Sequence, residues 1–243
     1  MKRWIPFVLL IAVVAAFFVF DRQAQTQPHP GNQPVLVELF TSQGCSSCPP
    51  ADELLSRIAH DPNLRGRAIP LAYHVDYWNH LGWRDPFSSR EWSVRQGDYV
   101  HALRLDSAYT PQVVINGTRQ MVGSASGSIY RAIEEESNRA AEGSVSIRAD
   151  GGDVIVRASA PRGGVDVMVA IYEDGASTKV ERGENGGRTI ANDSIVRKLV
   201  RVATLDGKGA VEERVKLALG AHMGAVAFLQ DAKTRRVIAV SVI

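Results

Sequence analysis

The sequence predicts a mixed α/β domain over residues 35–142, with a mixed sheet and helices on both of its faces. An all-β, sandwich-like domain over 143–243 follows it. Three observations carry this reading. Cys45 and Cys48, the only cysteines, stand between an apolar, β-rich run at 35–40 and a helical pattern that opens with Pro49-Pro50. A proline at 111 leads into Gln112-Val113-Val114-Ile115-Asn116-Gly117, a short strand and a two-residue hairpin turn. After Gly143 the long helical patterns stop, and short strand-like runs alternate with Gly- and Asp-rich turns.

Val35 to Phe40 is apolar on both faces apart from Glu38, as a buried parallel strand is. Pro49-Pro50-Ala51-Asp52-Glu53 followed by Leu54, Leu55, Ile58 and Ala59 predicts a helix. Its prolines fall in the first turn, where no intrahelical N–H is needed, and its acids lie near the positive end of the dipole. Ala68 to Val75 is a second buried strand. Asp76 to Phe87 is irregular, with Tyr77, Trp78, Trp83 and Phe87 around Gly82 and Pro86. These aromatics are read as packing or as a wall near the dithiol, with packing favoured. Ser88-x-x-Glu91 is a capping box, and Trp92, Tyr99 and Leu103 follow at helical spacing. Gln112 to Ile115 and Arg119 to Val122 form a hairpin, and Ser126 to Glu142 a last helix. The order β-α-β-α-β-β-α combines parallel crossings with an antiparallel hairpin.

In the second half, strands are predicted at Val145–Ile147, Val154–Ala158, Val165–Tyr172, Ser194–Ala203, Val211–Leu219, Ala225–Gln230 and Val237–Ile243. Glu181 to Arg188, with three glycines, reads as an exposed loop. No second catalytic motif is visible, and a chain ending near Glu142 is expected to keep its dithiol chemistry.

The N-terminus is a targeting segment. Lys2 and Arg3 precede 17 residues, Trp4 to Phe20, that are apolar except for Pro6. Positive flank and apolar run form the export pattern, although a membrane-spanning helix needs about 20 residues. A cleaved signal peptide and an uncleaved anchor, residues 1–20, both stay open. Either one places the remainder in the periplasm or outside the cell, and residues 21–34, rich in Gln and Pro, form a tether. The 243 residues carry a net charge of only +2. Residues 21–142 hold 11 arginines and no lysine against 14 acids, and residues 143–243 hold 15 basic against 12 acidic side chains. Neither half has the basic excess of a nucleic-acid binder.

A bridge between Cys45 and Cys48 closes a very short loop, so it stabilises little, and structural stapling explains the pair poorly. Redox chemistry explains it better. A thiol at a helix start is stabilised as thiolate by backbone N–H groups and the dipole, which makes Cys45 the nucleophile and Cys48 the resolving thiol. Two thiolates also suit Cu(I) or Zn, with His74, His80 or His101 as further donors, but none of these lies at a tight ligand spacing. His74, at the end of its strand, reads first as a hydrogen-bonded structural residue.

The runs V-E-L-F-T-S-Q-G-C-S-S-C-P-P (37–50) and Y-T-P-Q-V-V-I-N-G (109–117), in this element order, resemble the thioredoxin-like superfamily over about residues 35–142. With H-V-D-Y-W-N-H-L-G-W-R-D-P-F (74–87), the chain is similar more narrowly to a secreted thioredoxin-like family, domain of unknown function 1223. The resemblance implies that Thr110-Pro111 is a cis pair bordering the substrate. It also implies that Cys45 and Cys48 exchange with protein thiols or disulfides, and that no dissociable cofactor or metal is required. A membrane-bound redox partner is compatible with the tether. The residues between the cysteines depart from the usual Gly-Pro, being Ser46-Ser47, and Pro49 follows. Thioredoxin-like proteins often bury an acid on the strand before the dithiol. Glu38, one residue further from Cys45 than usual, is that acid or else an exposed edge-strand residue. The reading is an exported thiol–disulfide oxidoreductase; the alternatives are a copper-handling chaperone using the same thiolates and a non-catalytic scaffold presenting its sandwich to a partner, which a fully buried dithiol would favour.

Overall fold

The computed structural model describes residues 33–207, 209–216 and 219–243. The N-terminal segment expected to act as signal or anchor lies outside the described residues. Within them, no helix is long and apolar enough to cross a membrane.

The chain is a mixed α/β fold with three helices and one large sheet among the described residues. β1 (Val35–Thr41) is buried along its whole length. It pairs in parallel with β2 (Ala68–His74), from Val35 opposite Ala68 to Thr41 opposite His74, and antiparallel with β3 (Gln112–Ile115). That double pairing explains why its sequence is apolar on both faces. β3 returns as β4 (Arg119–Val122) through Asn116 and Gly117, whose φ angles of 45° and 66° are the left-handed pair a primed turn requires. The two faces of β1 separate the helices. Val35, Val37 and Leu39 pack on α1 (Pro49–His60) and α3 (Ser126–Ser137), whereas Leu36 and Phe40 pack on α2 (Arg90–Ala102). α3 ends five residues before the predicted Glu142. α2 is capped by Ser89, whose side chain accepts from the Glu91 N–H. Ser88, the predicted cap, instead donates its hydroxyl to the Asp85 carbonyl.

The second half supplies β5 (Ser144–Asp150), β6 (Asp153–Ala160), β7 (Val165–Glu173), β8 (Ala176–Lys179), β9 (Thr189–Asn192), β10 (Ile195–Leu205), β11 (Gly209–Val215), β12 (Met223–Asp231) and β13 (Val237–Val242). The seven predicted strands are present with shifted ends; the short β8–β9 hairpin was not predicted. β5, β6 and β11 form a three-stranded layer that closes an apolar core against β7 and β12. The large sheet continues across residue 143, in the order β13-β12-β7-β10-β2-β1-β3-β4. β10 enters parallel to β2, with Ile195 opposite Ala72.

The sheet curls until its far strand returns beside β1. The Val237 N–H donates to the Asn116 carbonyl, and Gln33 Nε2 donates to the Ile238 carbonyl. A Cβ on Gly117 would lie 1.9 Å from the Arg235 carbonyl oxygen, so the hairpin turn needs glycine for close approach as well as for φ. α2 sits on the inner face of this curl. Trp92 and Tyr99 pack with Phe40, Tyr73, Val226, Phe228 and Val240, residues from both halves.

Arg95 lies in the middle of that core. Its guanidinium pairs with the Glu38 carboxylate at 2.6 Å, donates to the Tyr99 hydroxyl and to Gln230 Oε1 on β12, and lies over the rings of Tyr73, Tyr99 and Phe228. Removing one member of a buried ion pair strands the other. R95M is therefore expected to lower unfolding stability in urea by about 3–5 kcal/mol, while Q230L, which removes a neutral hydrogen-bond partner, costs about 1–3 kcal/mol. Equal, small losses for both variants would contradict this account of the core.

Candidate functional site

Cys45 and Cys48 form a disulfide with a Cα–Cα separation of 5.4 Å, and both residues are 0% exposed. Their positions on the helix differ from the expected ones. Cys48 is the N-cap of α1, and its carbonyl accepts from the N–H groups of Ala51 and Asp52. Cys45 lies in the turn before the helix, closed by Cys45 N–H to Ser42 carbonyl and Cys48 N–H to Cys45 carbonyl bonds. Its Sγ lies 3.3 Å from the hydroxyl of Ser47, which is exposed. Both cysteines are thus enclosed, with Cys45 in contact with the exposed Ser47 and Cys48 at the helix start.

The Thr110–Pro111 bond is cis. Two contacts bring it to the dithiol. Trp78 Nε1 donates to Thr110 Oγ1 at 2.8 Å, and Trp78 Cβ lies 3.1 Å from where a Cβ of Gly44 would stand. On the other side, a Cβ on Gly123 would lie 2.9 Å from the Cβ atoms of both Pro111 and Ala51, so Gly123 permits Pro111 to sit against the first turn of α1. The aromatics of 76–88 therefore serve as packing and also as a connection between the two motifs. Trp83 Nε1 likewise donates to Gln43 Oε1.

Glu38 is buried, which removes the exposed alternative, but it points to the α2 face of β1 and is held by Arg95 and the Tyr99 hydroxyl. It has no route to the sulfurs on the α1 face. The acid on that face is Asp52, one helical turn beyond Cys48, a spacing that puts two side chains on the same side of a helix. Asp52 is buried; one carboxylate oxygen accepts from the Thr41 hydroxyl at 2.7 Å and the other has no protein partner. Burial pushes its pKa up to about 7, against the opposing pull of His74 and Thr41. The sequence marked Asp52 only as a complement to the helix dipole; its i+4 spacing from Cys48 was the available signal.

Beneath the same turn lies His74, whose Nδ1 is 2.7 Å from Asp85 Oδ2. Burial alone would lower the His74 pKa, but the Asp85 carboxylate raises it above its ordinary value. Burial raises Asp85, yet His74 and the N–H groups of Gln43 and Phe87 hold it below the usual range. His74 Nε2, like Asp52 Oδ2, has no protein partner. Among the described residues, no group of three or more His, Cys, Asp or Glu side chains is placed to hold a metal ion.

The loop at 181–188, read as exposed, is part of the site. Asn185 is 1% exposed and donates from Nδ2 to the carbonyls of Gln43, at 3.0 Å, and Cys45, at 2.9 Å. Glu184 Oε2 accepts the Ser46 N–H at 2.9 Å, and Gln43 Nε2 donates to Asn192 Oδ1. Contacts separated by about 140 residues leave no local signal in a sequence.

The DUF1223 family, described as a protein of unknown function, matches residues 36–230. The chain belongs to this family. A crystal structure of protein AGR_C_4864 from Agrobacterium tumefaciens is similar, with 30% identity and a TM-score of 0.71, over 86% of this chain and 93% of that one. HBP35 of Porphyromonas gingivalis shares the fold at 15% identity and a TM-score of 0.60, over 87% of this chain and 75% of its own. No curated protein matches.

For this DUF1223 member the buried acid gives a pH prediction. Asp52 ionises near 3.8 when unfolded and near 7 when folded, so the folded state holds the extra proton between those values. Stability then falls as pH rises through this window and the penalty is complete above about pH 7. His74, raised likewise, acts in the same direction. Between pH 5 and 8 the native protein should lose up to roughly 3 kcal/mol more than D52N does, measured by denaturant titration. Parallel pH curves for the two proteins would show that Asp52 is ionised throughout.

Proposed function

We propose that this protein is a thiol–disulfide oxidoreductase, built on a thioredoxin-like unit at 35–142 with a β-rich second half, that acts outside the inner membrane on protein thiols or disulfides. Residues 4–20 direct its export or tether it. The observation that carries the reading is Asp52. A structural bridge needs no proton donor, and burying a carboxyl with one oxygen unpartnered is costly. A dithiol that cycles does need one, because the leaving thiolate is a buried anion.

In the reducing direction for the protein, a substrate thiolate attacks Cys45 Sγ. The Cys45–Cys48 bond breaks, and its electron pair remains on Cys48 Sγ, which takes up the Asp52 proton. The second substrate thiol, deprotonated, attacks the substrate sulfur of the mixed disulfide and releases Cys45 as thiolate. The substrate dithiol leaves as a disulfide and the protein retains the two electrons as a dithiol. The reverse sequence reduces a substrate disulfide. The Thr110–Pro111 segment, packed near the first turn of α1, forms the substrate edge in this reading.

C48S incubated with a disulfide-bonded peptide should accumulate a mixed disulfide through Cys45, whereas C45S should not. D52N should slow reduction of the protein disulfide near pH 6 by roughly a hundredfold, the low end of what a positioned acid supplies. Trapping through Cys48 alone, or no exchange with any thiol in the native protein, would overturn the assignment.

A further inference from the structure

The β8–β9 hairpin carries a compact loop whose own hydrogen bonds hold it rigid. The Val180 N–H donates to the Arg188 carbonyl, the Gly187 N–H to the Val180 carbonyl, and the Gly186 N–H to the Gly183 carbonyl. Gly183 and Gly187 have φ angles of 79° and 84°, available to glycine at little cost. A Cβ at Gly183 would meet the Leu81 carbonyl oxygen and Trp83 Cβ at 3.2 Å, so the loop is seated on the 81–83 segment. From that seat Asn185 ties down the carbonyls on both sides of Gly44, and the Arg188 guanidinium fixes Asn185 through its Oδ1 at 3.0 Å.

Glu184 occupies the place where a thiolate's counterpart should be. A thiolate before a helix is stabilised by N–H groups pointing toward it and by the positive end of the dipole. The Ser46 N–H is such a donor, next in the chain to Cys45, and here it is taken by a carboxylate. The hydrogen bonds from Ser46 in turn hold the Glu184 pKa below its ordinary value, so the group is charged at neutral pH.

We propose that Glu184 and Asn185, from the second half of the chain, are positioning residues that set the stability of the Cys45 thiolate and thereby the redox poise of the dithiol. Asn185 fixes the turn that carries Cys45. Glu184 withdraws one stabilising N–H and adds a negative charge beside it, which makes the reduced, thiolate-bearing state less favourable and the dithiol a stronger reductant. This inference deepens the oxidoreductase reading and rests on it for its biological consequence, but the thiolate stability itself is measurable without turnover.

The titratable and charged groups around Cys45 are Glu184 and Arg188 from the loop, the Cys48 thiol of the reduced pair, Asp52 from α1, His74 from β2 and Asp85 from the 76–88 segment. E184Q changes only the first, and its carboxamide oxygen can still accept the Ser46 N–H. The test is the rate of iodoacetamide alkylation of Cys45 in the fully reduced, full-length protein, followed by mass spectrometry from pH 4 to 9. Native protein and E184Q are compared at low and at high salt. E181Q, which removes another acid of the same loop, is the control. E184Q should move the Cys45 midpoint to lower pH and raise the rate at pH 6 by roughly three- to tenfold at low salt. The gap should narrow at high salt, because an exposed charge is screened. The equilibrium with glutathione should shift toward reduced protein by the same factor, tenfold being about 30 mV. E181Q should leave the midpoint in place. An unchanged midpoint in E184Q, an upward one, or an equal shift in E181Q would overturn the proposal. If E184Q shifts the midpoint while neither protein exchanges with thiols, the tuning stands and the oxidoreductase reading falls. If both exchange with identical midpoints, the reverse holds.

Discussion

A buried guanidinium must be surrounded, and in this protein satisfying Arg95 requires both halves of the chain. The carboxylate comes from β1, a hydroxyl from α2 itself, an amide from β12, and ring faces from β2, α2 and β12. No subset of these groups desolvates the charge and also pairs it. The requirement keeps α2 on the inner face of the curled sheet and draws β12 toward β1, although three strands lie between β12 and β1 in the sheet order. Burying such a pair contributes little net stability over an apolar core. Its effect is on specificity, because a register slip in β12 would take Gln230 away from Arg95 and the Tyr99 hydroxyl and leave buried polar groups short of a partner.

The same logic on the opposite face of β1 gives a different result. There Asp52 has one hydroxyl partner and an idle oxygen, and His74 has one carboxylate partner and an idle nitrogen. Where the charges of Arg95 and Glu38 are paired, those of this cluster keep unpartnered atoms, and such buried groups are the ones whose protonation can change. Two neighbouring residues of one strand, Glu38 and Leu39, thus face a fixed network and the dithiol helix respectively.

This distinction shows what the sequence could convey. Local chemistry was legible: the Asn116-Gly117 turn, the prolines opening α1 and the apolar runs of β1 and β2 each act within a few residues, whereas the cis Thr110–Pro111 bond was implied only by the resemblance. The helix-capping signal was read one residue early, at Ser88 instead of Ser89, because both neighbours are serines and only the backbone geometry tells them apart. The resemblance offers Glu38 as the acid for the dithiol, but strand parity decides its side, because alternate residues of a strand face opposite ways. β8 and β9 escaped notice because A-S-T-K and T-I-A-N are four-residue segments of weak β-propensity, held by the packing of α1 and the Gln43–Asn192 contact more than by their own preference.

The reach of the second half into the site runs through the β8–β9 hairpin and its loop. β10 runs parallel to β2 and begins with Ile195 opposite Ala72, two residues before the end of β2. The residues just before β10 run back toward the amino end of β2, where Asp193 meets His60 at the end of α1, and the β8–β9 hairpin runs from there along α1 toward the dithiol turn. Ser194 accepts there from the Ala72 N–H, Asn192 meets Gln43, and the loop between β8 and β9 is left over the turn that holds Cys45. The contacts of that loop with Gln43, Cys45 and Ser46 make the dithiol turn depend on the whole chain and not on its first half alone.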